Sequence, residues 1–334
     1  MKAEVLLGPW VRRFLLEYMI EERNLSLNTQ HSYRDTIVLL LQFLSKEIPK
    51  RAGDIEVLDV SVKRVQAFLT HLEKARGCAV RTRNQRLCAI HSLASFIESH
   101  SPEHIVWATQ IRGIPVKKAA QNLIPYFDKG EIDELLKAPN LDKELGRRDR
   151  TLLLFLYNSG CRADEVARLT IANLDLRPPS SAGLNSVTIV GKGGKVRRCP
   201  LWPRTVEGLR TLIGSRPGDQ RVFLNRRGQP LTRFGVYRLV RHYASLTSKK
   251  FPSLARKRAS PHTIRHTSAT QLLRAGVDLN TIREWLGHVS LDTTNIYTEV
   301  DFESKAKALE LCEVNPKLAR RRKESGIFGF LRKL

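Results

Sequence analysis

The chain has 334 residues, which is enough for two domains that each bury a core. Its 57 Lys and Arg residues outnumber 33 Asp and Glu residues, for a formal net charge of +24. This excess favours a protein that binds a polyanion, most simply DNA or RNA. The alternative is a basic soluble protein of another kind, such as a ribosome-associated factor. A hydrophobic content of 42% argues against a wholly disordered chain.

The cysteines indicate a reducing compartment. They are scattered, odd in number and contain no Cys-x-x-Cys pair: Cys78, Cys88, Cys161, Cys199 and Cys312. Neither a disulfide framework nor a cysteine zinc site is therefore expected. No secretory signal is recognisable, and the apolar run 37–41 is too short to span a bilayer. We expect a cytoplasmic protein without membrane contact.

The first hundred residues are predicted to be helical. Ser26 or Asn28 is suited to cap a helix that ends with the apolar stretch IVLLLQFL. Apolar residues recur at helical spacing in two further segments, 62–72 and 87–97. Their polar faces carry basic residues that either contact phosphates or are solvated: Lys63, Arg64, Arg81, Arg83 and Arg86.

Helical periodicity is lost from about His100 to Asn122, where Pro102, Gly113 and Pro115 occur. This pattern indicates an interdomain linker. The chain is thus predicted to have a helical domain over 1–105, a linker over 106–122, a second domain over 123–310 and a basic tail over 311–334.

The second domain is predicted to mix structure types. A buried helix over 151–157 should end near Gly160, and strands at 186–190 and 196–201 should form a hairpin around a glycine-rich turn. Another strand is predicted at 222–224, followed by a turn. The fold class is therefore mainly α with a small β-sheet, α+β.

The end of this domain is predicted to be helical again. Ser260 and Pro261 form an N-cap with proline at the first helical position, opening a helix that closes at Gly276. Two shorter helices should follow, one containing Trp285 and the other containing Tyr297.

Positive charge is concentrated in the second part of the chain. Residues 1–120 hold 18 Lys and Arg against 12 Asp and Glu, so most of the excess lies beyond them. No acidic residue occurs between Asp219 and Asp278. This segment contains His262 and Arg265, and it would repel itself without a polyanion nearby.

The second part carries side chains suited to attack on a phosphodiester. The candidate catalytic residues are Arg162, Lys192, His262, Arg265, His288 and Tyr297. Arginine stays charged and donates paired hydrogen bonds to phosphate oxygens, although Asp164 or Glu165 is an alternative, structural partner for Arg162. His262 and Arg265 are three residues apart and share a helix face.

The spacing of His262 and His266 is also that of a helical zinc pair. Thr263 stands where His-Glu-x-x-His would have its glutamate, so zinc is disfavoured and His266 is expected to support its neighbours through hydrogen bonds. No metal ion or cofactor is expected.

Tyr297 is the proposed nucleophile, since neighbouring cations would stabilise its phenolate. Its competitors are Tyr157, Tyr237 and Tyr243, of which Tyr157 sits in an apolar run typical of a core. Lys192 is the candidate proton donor to the leaving 5′-oxygen, and Lys195 is the alternative.

As a set, these residues resemble the tyrosine recombinase family, also called the phage-integrase or Xer-like family. The family's order of Gly-x-Arg-x-x-Glu, hairpin lysine, His-x-x-Arg, Gly-His and tyrosine recurs in the six candidate residues. Thr29 and Tyr33 match a Thr-x-x-x-Tyr feature of its N-terminal domain. Ser-Gly-Cys at 159–161, where Thr-Gly-Leu is common, is a departure.

The resemblance implies a helical, SAM-like core-binding domain and a catalytic domain that close around double-stranded DNA. Tyr297 would form a 3′-phosphotyrosyl link, without ATP or metal, in a homotetramer on paired sites or an assembly with related recombinases. The implied role is DNA integration or transposition by a nucleoid-associated enzyme. The alternatives are a type IB topoisomerase-like enzyme and an inactive DNA-binding relative.

Overall fold

A computed structural model describes residues 5–119, 125–178 and 183–287, apart from the side chain of Lys192. The candidate residues His288 and Tyr297 and the tail 311–334 lie outside the described residues. The chain divides into two compact units, Met1–Asn122 and Leu123–Leu334. No described helix combines the length and apolarity needed to cross a bilayer.

The N-terminal unit is helical. Its helices are α1 (Leu7–Arg13), α2 (Leu27–Glu47), α3 (Val62–Lys74), α4 (Val80–His100) and α5 (Ile105–Arg112). Helix α1 continues into a π-helical stretch, Phe14–Glu22. Short 3-10 turns lie at Ala52–Asp54, Val57–Asp59 and Pro102–His104. Ser26 accepts a hydrogen bond from the Thr29 amide, which confirms Ser26 as the cap of α2.

Apolar positions at helical spacing converge on one core in this unit. Leu44, Val65, Leu87 and Ile97 are all fully buried, as the periodicity predicts. Tyr33 stacks on the buried Phe14 ring, with the centroids 6.2 Å apart. The motif tyrosine thus packs at the edge of this core.

Three of the five predicted basic residues on α3 and α4 are engaged within the unit. Arg83 is buried and donates to the Pro115 carbonyl, 3.2 Å away. Arg64 donates to the Asp59 carbonyl, and Arg86 donates to the Ser32 carbonyl. Lys63 and Arg81 are exposed, so for these two both alternatives, solvation and phosphate contact, stay open.

The first part of the predicted linker 106–122 is helical, since it lies in α5. Pro102 opens a 3-10 turn, where its missing N–H costs no hydrogen bond, and Gly113 follows the end of α5. Trp107 is buried, and its indole N–H donates to the Val60 carbonyl. Proline and glycine therefore mark the ends of a short packed helix rather than a change of domain.

The second unit contains eight described helices and three short strands. The helices are α6 (Lys129–Lys137), α7 (Glu144–Ser159), α8 (Ala163–Arg168), α9 (Pro203–Ile213), α10 (Arg233–Thr247), α11 (Pro252–Arg256), α12 (Pro261–Arg274) and α13 (Leu279–Leu286). The strands are β1 (Leu174–Asp175), β2 (Ser186–Val190) and β3 (Val196–Pro200). This composition confirms the predicted fold class.

The three strands form an antiparallel sheet in the order β1-β2-β3. The predicted hairpin is confirmed, and its register pairs Ser186 with Pro200 and Val190 with Val196. The strand predicted at 222–224 is absent, since Leu224 and the preceding Arg221 form only isolated bridges, to Pro230 and Thr170. Val222 and Phe223 are apolar because they enter the core, not because they pair in a sheet.

Helix α7 is the centre of the second unit. It packs against α9 on one side and α12 on another, and its Leu152, Phe155 and Leu156 are fully buried. A smaller cluster joins α12 to α13 through Ala269, Ile282 and Leu286. The end of α7, the start of α12 and the end of α13 are thereby held together around the candidate site.

Candidate active site

Arg162 lies in the turn that connects α7 to α8. Gly160 ends α7 in the left-handed conformation with φ +59°, and Arg162 becomes the N-cap residue of α8. Its backbone N–H donates to Glu165 Oε2 at 2.9 Å, and its Nη1 donates to Oε1 at 2.8 Å. Asp164 pairs with Arg168 instead. Glu165 is therefore the carboxylate partner of Arg162.

Arg265 approaches the same turn from α12. Ser260 caps this helix by accepting from the Thr263 amide, as predicted. Arg265 is 3% exposed and donates from Nη1 to the Gly160 carbonyl and from Nη2 to the Leu286 carbonyl, both at 2.6 Å. A guanidinium fixed by two backbone carbonyls has a defined orientation. The structure thus brings the two predicted arginines together.

His262 lies one turn before Arg265 and is exposed at the surface. Desolvation by the surrounding protein and the charges of Arg265 and Arg162 lower its pKa, while Glu165 opposes them. Its ring is therefore neutral near pH 7 and able to accept a proton. These charge effects also place both arginines close to the ring.

His266 lies deeper on the same helix. Burial, followed by the neighbouring His262 and Arg265, lowers its pKa to about 4. Among the residues that the structure describes, no group of three or more His, Cys, Asp or Glu side chains is placed to hold a metal ion. The predicted supporting role of His266 stays a prediction.

Arg197 on β3 is a member of this site that was not predicted. It reaches Glu165 with both terminal nitrogens, Nη2 to Oε2 at 2.7 Å and Nη1 to Oε1 at 3.2 Å. Only 8% of the Arg197 side chain and 2% of the Glu165 side chain are exposed. Burial alone would raise the pKa of Glu165, but hydrogen bonds and charge from Arg197, with Arg162, hold it at about 2.

The sequence contains a signal for this pair. Alternate residues of a strand face the same side, so Arg197 shares a face with Cys199, while Arg198 faces away. Cys199 is fully buried, and Arg198 is 59% exposed in its ion pair with Asp175. An arginine on the inward face of a strand requires a buried acceptor, and Glu165 supplies it.

The glycine-rich turn of the hairpin begins beside the same carboxylate. A Cβ added to Gly191 would lie 3.4 Å from Glu165 Oε1. Lys192 follows in a 3-10 turn, Lys192–Gly194, so its backbone is close to the site, and the Lys195 side chain is exposed. The choice between Lys192 and Lys195 as proton donor stays a prediction.

The last described residue contacts the site as well. Gly287 ends α13 in the left-handed conformation with φ +66°, and a Cβ there would lie 3.2 Å from Arg197 Cδ and Nη1. The chain therefore passes directly against the Arg197 guanidinium just before His288.

Two of the competing tyrosines are buried in the core of the second unit. Tyr157 is 9% exposed, and burial raises its pKa to about 12. Tyr243 donates to Asp149 at 2.8 Å, and burial together with that carboxylate raises its pKa. Both phenols are held neutral, which disfavours them as nucleophiles.

Comparisons with known proteins identify the family of the chain. Residues 125–304 match the model of the phage integrase family, and residues 12–100 match the model of the phage integrase N-terminal SAM-like domain. A putative integrase/recombinase, y4rC of Sinorhizobium fredii, is 34% identical over the full length of both chains. Tyrosine recombinase XerC of Pelotomaculum thermopropionicum is 31% identical, covering 87% of this chain and 94% of XerC.

Solved structures share the fold at lower identity. XerH site-specific recombinase bound to its difH substrate is 24% identical with a TM-score of 0.64, covering 88% of this chain and 82% of XerH. The Tn1549 transposon integrase in complex with circular intermediate DNA is 18% identical with a TM-score of 0.65, covering 90% of this chain and 98% of that integrase.

The family models and the relatives define one class, the enzymes that recombine DNA with a tyrosine. The chain belongs to the phage integrase family of tyrosine recombinases, and it is a tyrosine-type site-specific recombinase.

Proposed function

We propose that this recombinase cleaves and rejoins double-stranded DNA through a 3′-phosphotyrosyl intermediate. One observation carries the proposal: Arg265 is bound to the carbonyl of Gly160, two residues before Arg162, and the neutral His262 lies one turn from Arg265. Two fixed cations and a proton acceptor are what attack on a phosphodiester requires.

The two arginines would hold the non-bridging oxygens of the scissile phosphate. Arg162 is partly exposed, and its Nε and Nη2 make no hydrogen bond within the described part of the chain. Arg265 lies below the surface, where a contact with phosphate would be shielded from water and strengthened. Charge that develops on the phosphate would thus meet donors that need no rearrangement.

The family resemblance supplies the residues proposed for the proton transfers. Tyr297 Oη attacks phosphorus and its proton passes to His262, while the bond to the 5′-oxygen breaks and Lys192 protonates that oxygen. His288 adds a hydrogen bond to the phosphate. Attack by a 5′-hydroxyl on the phosphotyrosine reverses these steps and reseals the strand, so the ester bond is conserved and no ATP, metal or cofactor is consumed.

We place the enzyme in DNA integration or transposition. The net charge of +24 and the acid-free segment 220–277 favour a DNA partner. XerH and the Tn1549 integrase are each bound to DNA in their structures, and y4rC is named a putative integrase. We propose that it acts as a homotetramer on paired sites or with related recombinases, as a nucleoid-associated, cytoplasmic enzyme.

Trapping of the covalent intermediate tests this function without knowledge of the target site. The purified chain is incubated with duplexes of random sequence that each carry one nick. Cleavage near the nick releases a short fragment, so resealing fails and the adduct persists through SDS. We expect the adduct on the peptide that contains Tyr297, and sequencing of the attached DNA identifies the site.

Two variants make the test decisive. Tyr297→Phe should bind the recovered site in a gel-shift assay but form no adduct. Arg162→Ala should form it about 10²–10³-fold more slowly, since it loses a donor to the developing charge. An adduct on another residue, or one that survives in Tyr297→Phe, would overturn the proposal. Relaxation of any supercoiled plasmid without recombination of paired sites would instead identify a topoisomerase-like enzyme.

A further inference from the structure

Arg197 is a buried cation to which the proposed chemistry gives no role. It lies on β3, its side chain is 8% exposed, and its Nε has no hydrogen-bond partner among the described residues. Burial of a charge is costly unless a partner compensates it. Arg198, the next residue, keeps its charge at the surface with Asp175. The fold thus removes one of two adjacent arginines from water.

The Arg197 side chain joins the elements that carry the candidate residues. It grips both oxygens of Glu165, which in turn holds the backbone N–H and Nη1 of Arg162. It also lies against Gly287, the residue before His288. Its own strand is one arm of the hairpin that bears Lys192.

Glu165 is shared between two arginines with different surroundings. Arg197 approaches it from the interior, whereas Arg162 approaches from the surface with 33% of its side chain exposed. A carboxylate held on its inner side by a two-pronged pair has little freedom to turn. The Arg162 guanidinium, which donates to the same carboxylate, is fixed in position as a result.

We propose that Arg197 is a positioning residue, which holds the Glu165 carboxylate against Arg162 and fixes the end of α13 at Gly287. It does not touch the phosphate. The inference rests on the proposed function, because the orientation that Arg197 gives to Arg162 matters only if Arg162 binds the scissile phosphate.

The charged and titratable groups that face Glu165 determine how the loss of Arg197 would change the pH profile of adduct formation. They are Arg162, Arg197, Cys161, Cys199 and His262. Burial raises the pKa of Cys161 to about 12 and also raises that of Cys199, so both thiols stay neutral. Without Arg197, burial would raise the pKa of Glu165, and protonation would release Arg162.

The test compares Arg197→Met with Arg198→Met, a matched change one residue along the same strand. Single-turnover adduct formation on the trapped duplex is measured from about pH 5 to 8, since carboxyl groups with raised pKa titrate there. We expect Arg197→Met to be about 10²-fold slower, as for a misplaced catalytic group, with a further decline towards acid pH. Arg198→Met should behave like the unaltered chain.

A second change separates positioning from a general loss of structure. Glu165→Gln in the Arg197→Met background removes the titrating carboxylate, so the added acid decline should vanish. A loss that is uniform with pH, or an acid decline that persists with Glu165→Gln, would overturn the proposal. So would an Arg197→Met rate equal to that of the unaltered chain.

Arg197→Lys covers the case in which Arg197→Met does not fold, as judged by circular dichroism. A lysine keeps the charge but not the two-pronged geometry, so we expect slower adduct formation without the added acid decline. A rate equal to the unaltered chain would overturn the inference. If the unaltered chain forms no tyrosine adduct, the proposed function fails; if it does and the Arg197 variants match it, only this inference fails.

Discussion

At the scale of single residues, Glu165 has the largest effect on this site. Its side chain is 2% exposed, yet it is ionised because Arg197 and Arg162 both donate to it. Loss of one partner from a buried pair leaves the other charge buried without compensation. The same residue therefore affects both the free energy of unfolding and the geometry of Arg162.

Glu165→Ala should destabilise the catalytic unit by about 3–5 kcal/mol, because Arg197 would remain buried without its carboxylate. Urea unfolding followed by circular dichroism measures this. Asp164→Ala is the matched control, since Asp164 pairs with Arg168 at the exposed end of the same helix and should cost about 0–1 kcal/mol. Equal losses in both variants would contradict the assignment of Glu165 as the buried partner.

His266 makes the stability of the unit depend on pH. Its pKa is about 4 when folded, against about 6.5 when unfolded, so the unfolded chain binds more protons between these values. The stability that depends on His266 is therefore fully present above about pH 6.5, and it is lost as the pH decreases towards 4. Replacement of this histidine should remove that part of the decline.

Urea unfolding at several pH values compares His266→Gln with the unaltered chain. We expect the unaltered chain to lose about 2–3 kcal/mol more between pH 7 and pH 4, given 1.36 kcal/mol for each unit of pKa shift. His242→Gln, at an exposed position on α10, should leave the decline in place. Parallel curves for His266→Gln and the unaltered chain would show that His266 is not buried as a neutral ring.

At the scale of elements, local features were predictable and pairings between distant segments were not. Ser26 and Ser260 cap their helices through residues three positions away, so the sequence contains the whole signal. Arg197 and Glu165 are 32 positions apart, and nothing local joins them. The segment 222–224 was predicted wrongly as a strand, because a short apolar run indicates burial but does not identify the element that is buried.

Gly160 shows how closely the elements of the site approach one another. A Cβ there would lie 2.4 Å from Leu286 Cδ2, and the backbone has φ +59°. Gly160→Ala should therefore add about 1–3 kcal/mol of overpacking to about 1 kcal/mol of backbone strain. Leu286 would have to move, and its carbonyl holds Arg265. Adduct formation should slow together with the loss of stability.

Gly276→Ala is the matched control for this prediction. Gly276 follows α12 with φ +83°, and a Cβ there would meet no atom within 4 Å. Only the backbone strain of about 1 kcal/mol should appear in urea unfolding, and adduct formation should be unchanged. If both variants lost the same stability, close packing between α7 and α13 would not be the reason for a glycine at 160.

At the scale of the whole molecule, each unit has its own hydrophobic core. The candidate residues come from α8, α12 and the hairpin of the second unit, so the site depends on tertiary packing there. The order of motifs predicted which residues belong together because a family resemblance encodes that packing. The Lys192 side chain, His288 and Tyr297 lie outside the described residues, so their roles stay predictions.

The net charge of +24 should dominate binding to any duplex, whatever its sequence. Each phosphate neutralised by Lys or Arg releases condensed counterions, so affinity should fall steeply as salt is added. For about six to ten such contacts the loss is about 10³–10⁵-fold between 50 and 200 mM salt. Fluorescence anisotropy with an unrelated duplex measures the slope. Tyr297→Phe should share it, because a phenol releases no counterions. A salt-independent affinity would show that the positive charge serves something other than contact with a nucleic-acid backbone.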